Sequence, residues 1–336
     1  MNYQRIKPVM PYTHYLDRAF SRAKKSAASL ESKRYSSDIT MHRVAENGRI
    51  LAITKSLIED MKAILLTFPN VDDLPEFDNE LVKCTLDYPS LKRAFGAVLW
   101  AQKKTEEFGR KYQRLMGAAR SEVMFKRAEA EFYGRISSIM KQINSQLLFL
   151  EQARKVMKEY PNINQGVFIV AIAGFPNVGK STLLKKLTKA KPAIEAYPFT
   201  TKGLNLGFAN YGSAYVQYID TPGTLNRLNK MNNIEKQAVL AIKHLSELVV
   251  YVFDLTEPYP LAQQETLLEG LKEYHKKIIL YLSKTDILDK QVVASFARHY
   301  PVITDIGQLE KMISDAAKEY YRNSAIAARA AKPEHE

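Results

Sequence analysis

Eight residues, Gly174-Phe175-Pro176-Asn177-Val178-Gly179-Lys180-Ser181, sit between an unbroken apolar run, Val167–Ala173, and a helical pattern, Ser181–Ala190. Their spacing fits G-x-x-x-x-G-K-[ST]. A strand that passes through a glycine loop into a helix belongs in a layered α/β domain, because the strand needs sheet neighbours and the helix needs a sheet face to cover. Glycines let the backbone wrap an anion with its N–H groups turned inward. The helix N-terminus adds a favourable dipole. In such a loop Gly174, Pro176, Asn177, Val178, Gly179 and Thr182 line the phosphates. Lys180 reaches the β- and γ-phosphates, and Ser181 offers its hydroxyl to Mg²⁺. The plainer reading is a glycine turn with an incidental lysine. It is outweighed by the strand before the loop and the helix after it.

The chain changes rhythm at Tyr160-Pro161-Asn162-Ile163-Asn164-Gln165-Gly166, which reads as a linker. Beyond it, short β-rich runs alternate with helical stretches. Strands are expected at Val167–Ala173, Leu204–Ala209, Tyr215–Ile219, Leu248–Phe253, Lys277–Leu282 and Val302–Ile303. Helices are expected at Ser181–Ala190, Ile234–Leu245, Leu261–His275, Asp289–His299 and Gln308–Arg329. The alternation predicts a P-loop α/β domain over residues 167–330, a mostly parallel sheet with helices on both faces. Residues 331–336 read as a frayed tail.

Residues 1–160 are low in glycine and carry apolar residues at steps of three and four. One run is Ile50, Ile53, Leu57, Met61, Ile64, Leu65; another is Phe132, Ile136, Ile139, Met140, Ile143, Leu147, Leu150. Each places its apolar groups on one helix face. Breaks are expected at Ser36–Asp38, Pro69–Pro75, Tyr88–Pro89 and Gly117–Ser121, with Ser90 and Ser121 as helix caps. The reading is an all-α helical bundle preceding the α/β domain.

Three further elements follow the loop in order. Asp220-Thr221-Pro222-Gly223 begins 40 residues after Lys180, directly after a strand. Asp220 there would hold Mg²⁺ through a water, and the Gly223 N–H would sense a γ-phosphate. Pro198-Phe199-Thr200-Thr201-Lys202-Gly203 lies between and offers a threonine to the metal. Ser283-Lys284-Thr285-Asp286 ends a strand, with Asp286 66 residues after Asp220. A carboxylate there accepts from guanine N1–H and N2–H₂, a donor pair adenine lacks, while the Lys284 stem packs on the base. Each piece alone is common by chance. Four in order, each at a strand end, point to GTP and GDP as ligands, and Asp286 argues against ATP.

The stretches Gly-Phe-Pro-Asn-Val-Gly-Lys-Ser-Thr, Tyr-Pro-Phe-Thr-Thr-Lys-Gly and Asp-Thr-Pro-Gly resemble the Obg/Nog group of translation-factor-class GTPases. Within it the Nog branch is the nearer match. That match is carried by Asn226-Arg227, Ile234-Glu235-x-Gln237-Ala238, Phe253-Asp254-Leu255-Thr256-Glu257 and, near the start, Ile6-x-Pro8-Val9 and Leu16-Asp17-x-Ala19-Phe20-x-Arg22. The resemblance covers most of the chain and implies a short, archaeal-type form in the cytoplasm. It implies a factor that assists assembly of the large ribosomal subunit, with that subunit or its precursor and rRNA as partners. It assigns Lys180, Thr201 and Gly223 to catalysis. Ser181, Thr201 and Asp220 go to Mg²⁺, with Phe199 and Thr200 beside them. Ser283, Lys284 and Asp286 go to guanine.

The chain departs from the family pattern at three places. Ser283 stands where the guanine motif has Asn, and is expected to be too short to brace both base and phosphate loop. Thr304-Asp305 stands where Ser-Ala follows the last strand. Thr224 follows Asp-Thr-Pro-Gly where the family usually has an apolar residue; like the family, the chain lacks the water-orienting glutamine of other GTPases, so slow intrinsic hydrolysis is expected, completed by a partner or a monovalent cation. Asn177 occupies a position where some related GTPases coordinate K⁺; it either does so here or only braces the loop.

Of the net charge of +13, +9 lies up to Tyr160, from 28 Lys+Arg against 19 Asp+Glu. Such an excess fits a polyanion-facing domain or a solvated basic surface. Arg18, Arg22 and Lys25 share a helix face; Arg110, Lys111, Arg114, Arg120, Lys126 and Arg127 form a second basic region. These are the candidate RNA contacts. No apolar run approaches the ~18–20 residues of a membrane span. The single cysteine, Cys84, excludes an internal disulfide and fits a reducing compartment. Two alternatives stay open: a catalytically weak guanine-nucleotide scaffold, and a GTPase acting on another RNA such as tRNA. The sequence leaves the oligomeric state undetermined.

Overall fold

A computed structural model describes residues 3–161, 163–188, 205–221, 233–256 and 260–330. The chain forms two compact units, Met1–Leu74 with Leu86–Lys158, and Pro75–Thr85 with Glu159–Glu336.

The first unit is built from helices α1 (Tyr12–Glu31), α2 (Asp38–Thr67), α4 (Tyr88–Ala118), α5 (Glu122–Gln142) and α6 (Asn144–Lys158). The expected apolar stripes form its core: Ile50, Ile53, Leu57 and Met61 of α2 are buried, as are Phe132, Ile136, Leu147 and Leu150. Ser37 and Ser121 cap α2 and α5, accepting from the N–H of Thr40 and Met124. Ser90 does not cap α4. Asp87 does, accepting from Ser90 N at 3.1 Å. Tyr88 and Pro89 therefore open the helix instead of breaking it, in keeping with proline's fit to the first turn. The 132–150 run is also not one helix, because Ile143 ends α5.

The second unit takes in α3 (Glu76–Thr85) from within the first half of the chain. Its sheet comprises β1 (Phe168–Ala173), β2 (Asn205–Tyr211), β3 (Ala214–Asp220), β4 (Leu248–Phe253), β5 (Lys277–Leu282) and β6 (Val302–Ile303). The strand order is β2-β3-β1-β4-β5-β6. All pairings are parallel except β2 with β3. Every residue of β1 and β4 is buried, as continuous apolar strands covered on both faces must be. The connecting helices are α7 (Lys180–Leu187), α8 (Asn233–Leu240), α9 (Leu261–Lys272), α10 (Lys290–His299) and α11 (Ile306–Ala330). A π-helical turn, Ala241–Leu245, continues α8 towards β4. β1 lies between β3 and β4, so the loop after β1 sits where strand order reverses, the usual ligand position in such sheets. No helix of the described residues is long and apolar enough to cross a membrane.

Candidate functional site

The loop between β1 and α7 has three residues with positive φ: Gly174 (146°), Asn177 (62°) and Gly179 (94°). Glycine takes that region freely and asparagine tolerates it. Successive left-handed turns aim backbone N–H groups into a common hollow, an anion nest. Gly174 is further constrained by space: a Cβ there would stand 2.6 Å from the Val252 carbonyl oxygen of β4. Gly179 precedes α7 without a side-chain cap, leaving the first-turn N–H groups to an incoming anion.

Lys180 lies under this loop, 7% exposed, and Nζ donates to the Phe175 carbonyl at 2.7 Å. Burial pulls its pKa down to about 8, against the opposing pull of the Asp220 carboxylate. A bound phosphate favours the ammonium, so binding at higher pH takes up a proton. Nucleotide affinity is expected to be flat near neutrality and to fall by up to about tenfold per unit above about pH 8. Calorimetry at pH 8.5 in buffers of different ionisation heat checks this; zero proton uptake refutes it.

Asp220, at the end of β3, is buried. Its Oδ2 accepts from Ser181 Oγ at 2.5 Å and from Asn205 Nδ2 at 3.2 Å. Its Oδ1 is buried without a hydrogen-bond partner. An orphaned carboxylate oxygen beside a serine hydroxyl suits the oxygen-donor chemistry of a hydrated divalent cation. Thr221 fixes the start of the next loop by donating N–H and Oγ1 to the Ile172 carbonyl, at 3.1 and 2.9 Å. Sequence reasoning missed Asn205. The two-residue turn Gly212–Ser213 sets the hairpin register, and that register puts Asn205 opposite Asp220.

At the end of β5, Ser283 faces the phosphate loop. Its Oγ reaches the Val178 carbonyl at 2.8 Å and the Phe253 carbonyl at 3.0 Å, so a serine does brace the phosphate loop here. It is long enough because the strand end itself lies against the loop. Ser283→Ala is expected to lower stability by about 1–2 kcal/mol and nucleotide affinity several-fold. Urea unfolding beside nucleotide titration measures both; unchanged affinity removes the brace from binding.

Lys284 takes φ 52°, and its Nζ lies 2.6 Å from Oδ2 of the fully buried Asp254. Asp254 is held in turn: Oδ1 accepts from Thr256 N and Oγ1 at 2.8 and 2.7 Å, and Gln264 of α9 bonds both its backbone groups. Asp254 is thus a second residue not assigned from sequence. Its signal was its place at the end of an apolar strand. Asp286 is exposed. Thr304 is exposed between β6 and α11, and its neighbour Asp305 caps α11 through Gln308 N at 2.7 Å. Pro176, Asn177 and Val178 lie in the loop, with Thr182 exposed in the first turn of α7. Phe199, Thr200, Thr201, Gly223 and Thr224 lie outside the described residues.

In the first unit the basic stripes are largely paired. Arg18 meets Asp60, Arg22 meets Glu59, Arg110 meets Glu106, Lys126 meets Glu122 and Arg127 meets Glu131. Lys25, Lys111, Arg114 and Arg120 are exposed and have no carboxylate partner among the described residues. Pairing of this kind lowers the charge offered to a polyanion.

Residues 3–164 match the family described as NOG1 N-terminal helical domain, and residues 169–284 match the one described as 50S ribosome-binding GTPase. A protein of Methanocaldococcus jannaschii with no assigned function is 36% identical over 255 residues, covering 75% of this chain and 71% of that one. Nucleolar GTP-binding protein 1 of Saccharomyces cerevisiae is 30% identical over 293 residues, covering 86% of this chain. The chain spans 45% of the length of that relative. The solved structure of a nucleolar GTP-binding protein 1 from Plasmodium falciparum overlaps 50% of this chain and 95% of its own, with TM-score 0.38 and 22% identity.

Proposed function

The chain belongs to the Nog1 family of GTP-binding proteins, and from that premise we propose that it hydrolyses GTP slowly with Mg²⁺ and acts in the cytoplasm as an assembly factor for the large ribosomal subunit. The observation that carries the catalytic part is the Ser181–Asp220 pair, with its unpartnered carboxylate oxygen set beside the phosphate nest. Ser181 and Asp220 would hold the ion, Asp220 through water. Bound there, Mg²⁺ neutralises charge on the phosphates. The rest is positioning. The nest N–H groups and Lys180 hold the phosphates. Ser283 keeps the loop closed over them, while Lys284 and Asp286 select the base. Phosphoryl transfer to water needs little more than this orientation and charge balance. Thr201 and Gly223 complete the proposed set as the metal ligand and the γ-phosphate sensor.

The ribosomal part is supported by the names of the matched families and of the relatives. Lys25, Arg114 and Arg120 are the proposed contacts to rRNA. The test is GTP turnover with and without large ribosomal subunits, in potassium and in sodium, with Lys180→Ala as blank. Stimulation by the subunits is the expected result. Guanine nucleotide bound without stimulation would favour a scaffold. Equal rates in the two salts would leave Asn177 as a brace of the loop only.

A further inference from the structure

Helix α3 is fastened along its length to α8 and the π-turn that follows it. Lys236 Nζ of α8 donates to the Cys84 carbonyl at 2.9 Å, in the last turn of α3, where helix carbonyls lack intrahelical partners. In the middle of α3, Lys243 Nζ lies 3.4 Å from both carboxylate oxygens of Glu80. His244 Nε2 lies 3.0 Å from Glu80 Oε2, and its Nδ1 lies 3.5 Å from Glu76 Oε2. Burial works against ionisation of Glu80, but the bonds and charges of His244 and Lys243 prevail and hold its carboxyl below the usual range.

The π-turn makes this possible. Ser246 N closes it on the Ala241 carbonyl at 2.9 Å, and Ser246 Oγ bonds the Ile242 carbonyl at 2.7 Å. One extra residue in the turn lets consecutive side chains, Lys243 and His244, both serve Glu80. On another side, α3 is tied to the segment that leads into β1. Gln165 Nε2 donates to Asp78 Oδ2 at 2.9 Å, and the hydroxyls of Thr85 and Tyr160 share a hydrogen bond. Glu76, Glu80 and His244 also offer three donor atoms to a cation. Lys243 already balances Glu80, however, and the two ring nitrogens face different carboxylates, so the set reads as a fastening.

Resting on the GTPase reading above, we propose that Glu80, Lys243 and His244 are positioning residues of the nucleotide cycle. They hold α8 in one placement, and α8 begins ten residues after Gly223. They thereby bias the protein between triphosphate and diphosphate binding. The chain leaves the first unit at Leu74, with Pro75 between it and α3, and enters that unit again at Leu86 directly after α3. A change in the hold on α3 is therefore passed to that unit through the backbone. Partly exposed ion pairs are individually weak, which suits a fastening that opens and closes each cycle. A ligand shifts such an equilibrium only by its differential affinity for the two placements. Loosening the fastening must then change the ratio of triphosphate to diphosphate affinity, not both equally.

The test uses the full chain with Glu80→Gln and His244→Gln together. Affinities for GDP and a non-hydrolysable GTP analogue are titrated, and hydrogen exchange is followed at residues 68–74 and 86–95 with each nucleotide. The expected result is a shift of about fivefold in the affinity ratio, with a smaller nucleotide-dependent difference in exchange at both segments. The swap Glu80→Lys with Lys243→Glu should restore part of the ratio. A ratio unchanged in the double variant, or two affinities falling together, overturns the proposal and leaves a structural contact. A rise in Tm with Zn²⁺ that requires His244 overturns it in favour of a metal site. If the unaltered protein binds no guanine nucleotide, the GTPase reading fails first, and that is visible before any variant is made.

Discussion

Gly174→Ala is expected to abolish guanine-nucleotide binding. Two costs add at this position. An alanine would have to adopt φ 146°, a region L-residues rarely enter. Its Cβ would also meet a β4 carbonyl oxygen at 2.6 Å, and a backbone atom in a central strand cannot swing aside. Strain of this kind costs on the order of 1–3 kcal/mol for the dihedral alone. The close contact forces the loop away from β4 in addition, and the N–H groups of the nest lose their common focus. A loss of three kcal/mol or more corresponds to roughly a hundredfold or greater weakening. Gly179→Ala is the internal control. The nearest atom to its Cβ would be Ser283 Cβ at 3.8 Å, an ordinary contact, so only the φ penalty applies. About a tenfold loss is expected there, from a penalty of 1–2 kcal/mol. Titration with a fluorescent guanine nucleotide, beside thermal unfolding of both variants, measures the difference. Equal losses at the two glycines would show that the approach to β4 does not matter.

Asp220→Asn is expected to lower GTP turnover on the order of a hundredfold while leaving stability unchanged or raised. The carboxylate is buried with one oxygen unpartnered, a cost the fold bears without a matching gain in the absence of ligand. An amide keeps the shape and loses the charge. It also removes the group that opposes the fall in the Lys180 pKa, so less of that lysine is charged near neutrality. Turnover and denaturant unfolding on the same preparation decide the matter. A variant that turns over normally would remove Asp220 from the metal site, and one that is markedly destabilised would make its role chiefly structural.

The phosphate loop and the strand end that carries Asp220 were legible in the sequence, for a physical reason. A glycine loop that must accept an anion needs particular residues at fixed spacing, and the strands beside it are unbroken apolar runs. The rest was hidden where tertiary contact chooses between local options. Asp87 and Ser90 are both good caps, and only the proline's place in the first turn favours Asp87. Ser283 looked too short because its reach depends on how near the β5 end lies to Val178, a distance no local pattern encodes. Asp254 stands in a run quoted for its resemblance alone; its burial against Lys284 needs two strand ends to be adjacent. The π-turn at 241–245 leaves almost no sequence signature, since one extra residue barely alters the apolar spacing.

The position of α3 bears on the order in which the chain can be made. Translation releases residues 75–85 before any strand of the sheet unit they join, so this helix must wait for partners not yet synthesised while the helical unit forms around its two ends. The two units are interleaved, and no single cleavage yields both intact. A fragment starting at residue 159 would keep the nucleotide loop yet leave Lys236, Lys243 and His244 without the groups they bond in the whole chain.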